Sequence, residues 1–281
     1  MRISIFRRGR VVSSCLAVLG LAAAVSSGQA LRAQAPQTPA APRPGPASRD
    51  LPAQPKPPLP PAREIIERHI KAIGGRKVIL ALTSSHASGT MTVAASGING
   101  GLEIYSAKPD KSLVKISLGG IGDVIEAFDG IHGWSLQPMT GPRLAEGKEL
   151  QEKKFDTDFY SDLHEEGRYA SMKTVEKTTF EGRPCYKVSL VRKDGGEDIE
   201  FYDVETGLKA GAAVTRESPM GPITMTQVYS DYKSFGGVLT ATTMKQTAMG
   251  VEQVMKITSI EFNNVPPATF EPPAQIKALI K

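Results

Sequence analysis

The residues that carry out bond chemistry are few in this chain and widely separated. Its four histidines, His69, His86, His132 and His164, form neither a His-x-x-x-His nor a Cys-x-x-His spacing, which excludes the common zinc motifs. Its two cysteines, Cys15 and Cys185, exclude a disulfide scaffold and a multi-cysteine metal centre. Asp156, Asp158, Asp162, Glu165 and Glu166 read as a solvated acidic face of a helix, with a metal site as the alternative. His69 reads as a packed core residue on an apolar helical stripe. His86 and His132 begin strands, and His164 reads as solvated among acids. No Gly-x-Ser-x-Gly elbow, phosphate loop or dinucleotide fingerprint is present. Gly119-Gly120-Ile121-Gly122 is followed by no helix and reads as a hairpin. Cys185, between Pro184 and Tyr186 on a strand, reads as a small buried apolar residue. No catalytic set, metal or cofactor is expected.

The abundant functional material is soft and apolar. Eight of the nine methionines, from Met91 to Met255, lie beyond residue 85. Two sit in similar turns, Met139-Thr140-Gly141-Pro142 and Pro219-Met220-Gly221-Pro222, and Trp134 is the single tryptophan. Methionine adapts to irregular apolar partners. These residues therefore either fill a core or line a cavity for an apolar chain. Trp134, Met139, Phe155, Phe159, Met220 and Met225 are the candidate lining residues.

The elements that must position them follow from pattern. Ile65, Ile66, His69, Ile70 and Ile73 form one stripe of a helix that ends at Gly74-Gly75, and a short turn follows at 76–82. From there the period changes to two. Strands are expected at about 86–96, 101–108, 112–118, 123–128 and 131–137. A helix at about 147–168 carries Phe155, Phe159, Tyr160 and Leu163 on one face. Seven more strands follow at about 171–180, 184–193, 197–204, 208–217, 222–234, 238–248 and 251–262. The short connections suit only antiparallel neighbours. The expected class is α+β: a strongly curved antiparallel sheet of about 11–12 strands, a half-open barrel with an N-terminal helix and a mid-chain lid helix.

The ends of the chain speak to compartment. Arg7, Arg8 and Arg10 precede an apolar run, Val11 to Val25, that is shorter than the roughly 20 residues of a spanning helix. Small residues before Ala30 and Ala35 complete a signal-peptide pattern over 1–35, with cleavage after either alanine. Cys15 opens the apolar run instead of closing it, so it is no lipoprotein acceptor. Residues 36–61 hold 11 of the 21 prolines and read as an extended, solvated linker. The folded domain is 62–281. The formal charge of +5 is matched by five arginines in 1–35, a stretch without acids. The remainder is near neutral and gives no case for nucleic acid. A periplasmic monomer is expected.

Phe128-Asp129-Gly130 through Gly133-Trp134 and Phe201-Tyr202-Asp203 through Thr206-Gly207-Leu208 carry a family resemblance. Asp231-Tyr232 through Phe235-Gly236-Gly237-Val238, and Phe262-Asn263 through Phe270-Glu271-Pro272-Pro273, complete it. In this order the chain resembles the LolA-like superfamily of periplasmic lipoprotein carriers, in particular outer-membrane lipoprotein-sorting proteins. The resemblance implies an open barrel of about eleven strands, a helical lid and a cavity for lipid acyl chains, without cofactor or bond chemistry. No position matches the carriers' arginine latch, and Thr240-Ala241 stands where a proline often follows the Gly-Gly-Val-Leu stretch. The expected function is an exported, non-enzymatic carrier or sensor of lipid or lipoprotein acyl chains. The alternatives are a module docking an envelope membrane protein, and an envelope hydrolase. The last requires His132 or His164 beside a carboxylate in an open pocket.

Overall fold

The computed structural model describes residues 58–280; the signal-peptide and most of the linker assignments lie outside the described residues. Helix α1 (Ala62–Ala72) follows Pro61 and is followed by α2 (Arg76–Leu80). The first strand group is β1 (Ser84–Val93), β2 (Ile98–Ala107), β3 (Lys111–Leu118), β4 (Gly122–Phe128), β5 (Gly133–Gln137) and β6 (Gly141–Leu144). Helix α3 (Gly147–Asp156) and 3-10 turns at Ser161–Leu163 and Glu166–Arg168 lead to the second group. That group is β7 (Tyr169–Phe180), β8 (Arg183–Arg192), β9 (Glu197–Asp203), β10 (Lys209–Arg216), β11 (Ile223–Phe235), β12 (Val238–Ala248) and β13 (Val251–Phe262). A 3-10 turn at Pro267–Phe270 and helix α4 (Ala274–Lys277) close the described chain.

All thirteen strands form one antiparallel sheet in the order β6-β5-β4-β3-β2-β1-β13-β12-β11-β10-β9-β8-β7. Each strand group is a meander, and the two are joined by the pairing of β1 with β13, for example Met91 opposite Met255. The sheet is curved and does not close into a barrel. Its edges are β6 and β7, which are consecutive in the chain. Residues 145–168 must therefore run from one edge of the sheet to the other. This is the physical reason that a lid-like crossover exists: the chain has no other route between the two meanders.

Two sequence expectations need correction, and the C-terminus adds two short elements. The sheet has thirteen strands, not twelve, because the chain from Gly141 to Leu144 pairs with β5. Pro142 hides this strand from a pattern reading, since proline is tolerated only where no ladder donor is needed, as at an edge. The mid-chain helix stops at Asp156 instead of 168. Asp158 accepts a hydrogen bond from the Tyr160 amide at 2.9 Å, and His164 adopts φ 47°, so the chain beyond α3 proceeds in tight turns. The C-terminal turn and α4 follow Pro266-Pro267 and Pro272-Pro273, where proline pre-sets the first helical residues.

Among the described residues, two apolar clusters anchor helices to the sheet. Ile65, Ile66 and Ile70 of α1 pack on Val188, Leu190 and Tyr202 of β8 and β9. At the other side of the sheet Trp134 packs with Ala127 of β4 and Ile276 of α4. His69 is buried in the first cluster, edge-on to Tyr202 with ring centroids 5.3 Å apart, as its place on the stripe predicts.

Candidate functional site

A cavity of about 190 Å³ lies between α1, the crossover and strands β8–β13. Small residues make the space: Ala212 of β10 presents no bulk beneath the crossover. One wall is apolar, built from Val214, Met225, Leu239, Met244, Met255 and Ile257. Cross-strand register explains this wall, because Met244 lies opposite both Tyr229 and Met255. At Asp231 the backbone turns to φ 53° without a change of register with β12, and Tyr229 and Tyr232, on either side of it, both reach the cavity from β11.

The facing wall is charged. Glu200 accepts from Lys209 Nζ at 2.8 Å and from His164 Nε2 at 2.8 Å, and Tyr202 donates its hydroxyl to the same carboxylate. Arg216 grips Asp156 of α3 through Nε at 2.7 Å and Nη2 at 2.8 Å, and also pairs with Asp198. Behind it Arg192 pairs with Glu152 of α3 at 2.8 Å. Arg168 pairs with Asp158 at 2.6 Å and lies over the Phe155 ring at 4.2 Å. From the other side, Arg63 donates to the His164 carbonyl at 2.8 Å and Arg76 to Glu165 at 2.7 Å. Of the acids of the crossover, Glu165 and Glu166 stay exposed, while the three aspartates do not form a solvated face. Asp156, Asp158 and Asp162 turn toward cations of the sheet and of the crossover itself, and His164 is buried, contrary to the solvated reading.

Burial alone would raise the Glu200 carboxyl, but the charges of His164 and Lys209 hold it well below the usual carboxylate range. Burial would likewise lower the Lys209 amine, and Glu200 and Asp162 raise it instead. Tyr202 is pushed well up by burial and by Glu200. At His69 burial prevails: with Lys209 nearby it drops the pKa to about 4 against the opposing pull of Asp162 and Glu200. The ring is neutral, and its Nδ1 lies 3.2 Å from the Gly207 carbonyl.

Of the sequence candidates, the structure brings Phe155 and Met225 to the cavity wall. The other four stand elsewhere. Phe159 packs edge-on to Tyr160 and hydrogen-bonds through its amide to Pro109 at 2.9 Å. Trp134 is buried in the second core cluster. Met139 and Met220 are exposed at hairpin tips, because a two-strand turn carries its central side chains past the end of the sheet. The charged wall is not legible in the sequence. Asp198, Glu200 and Tyr202 alternate with Ile199 and Phe201, so period two marks two faces without saying which is inner. Phe201 stacks on Phe180, centroids 4.1 Å apart, on the opposite face. Among the described residues no three His, Cys, Asp or Glu side chains gather as metal ligands, and no helix is long and apolar enough to cross a membrane.

No protein-family model matches the chain, and no curated protein matches it. Solved structures do. A DUF1329 family protein from Desulfovibrio piger superposes with a TM-score of 0.55 at 15% identity, covering 77% of this chain and 100% of that one. A LolA superfamily protein from Nitrosomonas europaea superposes with a TM-score of 0.51 at 13% identity, covering 76% and 99%. The architecture defines an open, helix-crossed half-barrel. The chain has a LolA-like fold, as its sequence resemblance implies.

Proposed function

We propose that this protein is an exported, periplasmic, non-enzymatic carrier or sensor that holds a lipid or lipoprotein acyl chain against the apolar wall of the cavity. One observation carries the reading: a methionine-lined wall, Met225, Met244 and Met255, lies beneath a crossover on the hollow side of a LolA-like sheet. Burial at about 25 cal/mol per Å² makes a chain of roughly 14–16 carbons a ligand worth several kcal/mol. The cavity's 190 Å³ falls below the roughly 300–1,000 Å³ of small-molecule sites. A full chain therefore enters only as the crossover shifts outward, and the ion pairs of Asp156, Asp162 and His164 set the cost of that movement.

A hydrolytic reading has His164 beside Glu200 in its favour. It is disfavoured by the ring's surroundings. Nε2 faces Glu200 and Nδ1 faces the Asp162 carbonyl at 3.0 Å, so neither nitrogen remains to take a proton from a substrate. Organic-solvent extraction of the protein purified from its host, followed by mass spectrometry, tests the carrier reading. Fatty-acyl species at a stoichiometric level are expected. An extract free of them, together with no uptake of a fluorescent fatty acid, would refute it.

A further inference from the structure

Because every neighbouring pair of strands is antiparallel, the hairpin turns alternate between the two ends of the sheet. One end collects the turns 94–97, 119–121, 138–140, 217–222 and 249–250, together with 193–196. The other collects 108–110, 129–132, 181–182, 204–208 and 236–237. The two ends differ in chemistry. At the first, Ala94 to Gly97, Gly119 to Ile121, Pro138 to Thr140, Ser218 to Pro222 and Met249-Gly250 hold no charged residue. Glu217, at the base of its turn, is paired with Lys148 at 2.7 Å, and the charged tip of this end is the β8–β9 turn with Lys193 and Asp194, last in the row toward β7. Four of these tips each present one exposed apolar side chain: Ile121 at 39%, Met139 at 79%, Met220 at 63% and Met249 at 66%. At the second end the tips carry Lys108, Asp110, Asp129, Glu181 and Glu205.

Met249 is the most telling of the four. Met249 and Gly250 are the two central residues of the β12–β13 turn, with φ 50° and 76°. This geometry favours Asn, Asp or Gly at the first position, and a methionine there is held in a conformation it rarely adopts. The β7–β8 turn at the opposite end has the same geometry, φ 47° and 76°, and fills it with Glu181-Gly182. The same backbone thus carries a charge at one rim and an exposed thioether at the other.

We propose that the five uncharged tips of this rim dock on a lipid bilayer, with Met139, Met220, Met249 and Ile121 dipping into the interfacial layer. Strands about 4.8 Å apart place successive tips of one rim about 10 Å from each other. Single side chains at that spacing make no contiguous patch of the roughly 800 Å² that a stable protein partner covers. A bilayer accepts each of them separately, and the absence of charge at these tips removes the main cost of entering it. None of these five tips carries a cation, so the interaction needs no anionic lipid and resists salt.

The test compares the two rims in the full chain. An environment-sensitive dye on Met220→Cys and Met249→Cys shifts to the blue on addition of phosphatidylcholine–phosphatidylethanolamine vesicles, whereas the same dye on Ile131→Cys, equally exposed at the charged rim, does not. In flotation, the triple variant Met139→Ser, Met220→Ser, Met249→Asn loses about tenfold in vesicle partitioning, and salt leaves wild-type binding unchanged. The Asn suits its turn, so Met249→Asn keeps or raises the melting temperature while it weakens binding. Equal dye shifts at both rims, undiminished flotation of the triple variant, or binding confined to anionic vesicles would each overturn the proposal. None of the tips lines the cavity, so vesicle docking and acyl loading succeed or fail separately.

Discussion

Replacing Arg216 with methionine keeps an apolar stem of similar length and removes the charge that ties α3 to β9 and β10. In the folded protein Arg216 is nearly buried, forms a two-pronged contact with Asp156 and also holds Asp198. Breaking a buried pair by removing one partner costs about 3–5 kcal/mol, because the remaining charge stays desolvated. Asp198 retains a neighbour in Arg192 at 3.5 Å, whereas Asp156 loses its two-pronged partner, which places the expected cost at the lower end, about 3 kcal/mol. A domain of this size loses about 2–4 °C per kcal/mol, so the melting temperature should fall by roughly 10 °C. Differential scanning calorimetry measures this. Adding Asp156→Asn to Arg216→Met should restore part of the loss, since the stranded carboxylate disappears, and the two changes will not be additive. Hydrogen exchange over residues 147–168 should accelerate in the single variant. A melting temperature within about 2 °C of wild type, or strict additivity in the double variant, would refute the view that this contact clamps the crossover.

His69 makes stability depend on pH in a defined direction. Its folded pKa of about 4 lies below the ordinary 6.5, so the unfolded chain binds the proton more readily. The contribution is complete above about pH 6.5 and is lost progressively as pH falls toward 4, by about 3 kcal/mol in total. Urea unfolding of His69→Phe should show a shallower slope across that window, and an unchanged slope would exclude His69 as its source. Met225→Trp should cut the affinity for a fluorescent fatty acid at least about tenfold while the fold persists by circular dichroism, because the indole fills a cavity of only 190 Å³. Gly211→Ala should destabilise by about 1–3 kcal/mol in chemical denaturation, since a Cβ there would overlap the Gln227 carbonyl and the Phe180 ring.

Local pattern is enough to identify most elements of this protein. The stripe from Ile65 to Ile73 announced α1, and alternation with Gly-rich turns announced twelve of the thirteen strands. Short connections dictated antiparallel neighbours, and the helical interruption after Leu144 separated the two meanders. These features are legible because each depends on residues within one or two turns of each other. What the chain kept hidden depends on residues far apart. The pairing of β1 with β13 joins Met91 to Met255, and no local signal specifies it. Once made, it puts β6 and β7 at opposite edges and forces residues 145–168 across the sheet. That crossing brings Asp156 to Arg216 and His164 to Glu200, turning residues that look solvated in sequence into a charged wall of the cavity. It also decides the fate of the methionines. Met225 faces inward on a strand beneath the crossover, while Met139 and Met220, similar in sequence setting to each other, stand past the sheet's end. Composition supplied the apolar side chains, and only the long-range closure of the sheet separated those that line a hollow from those that face outward.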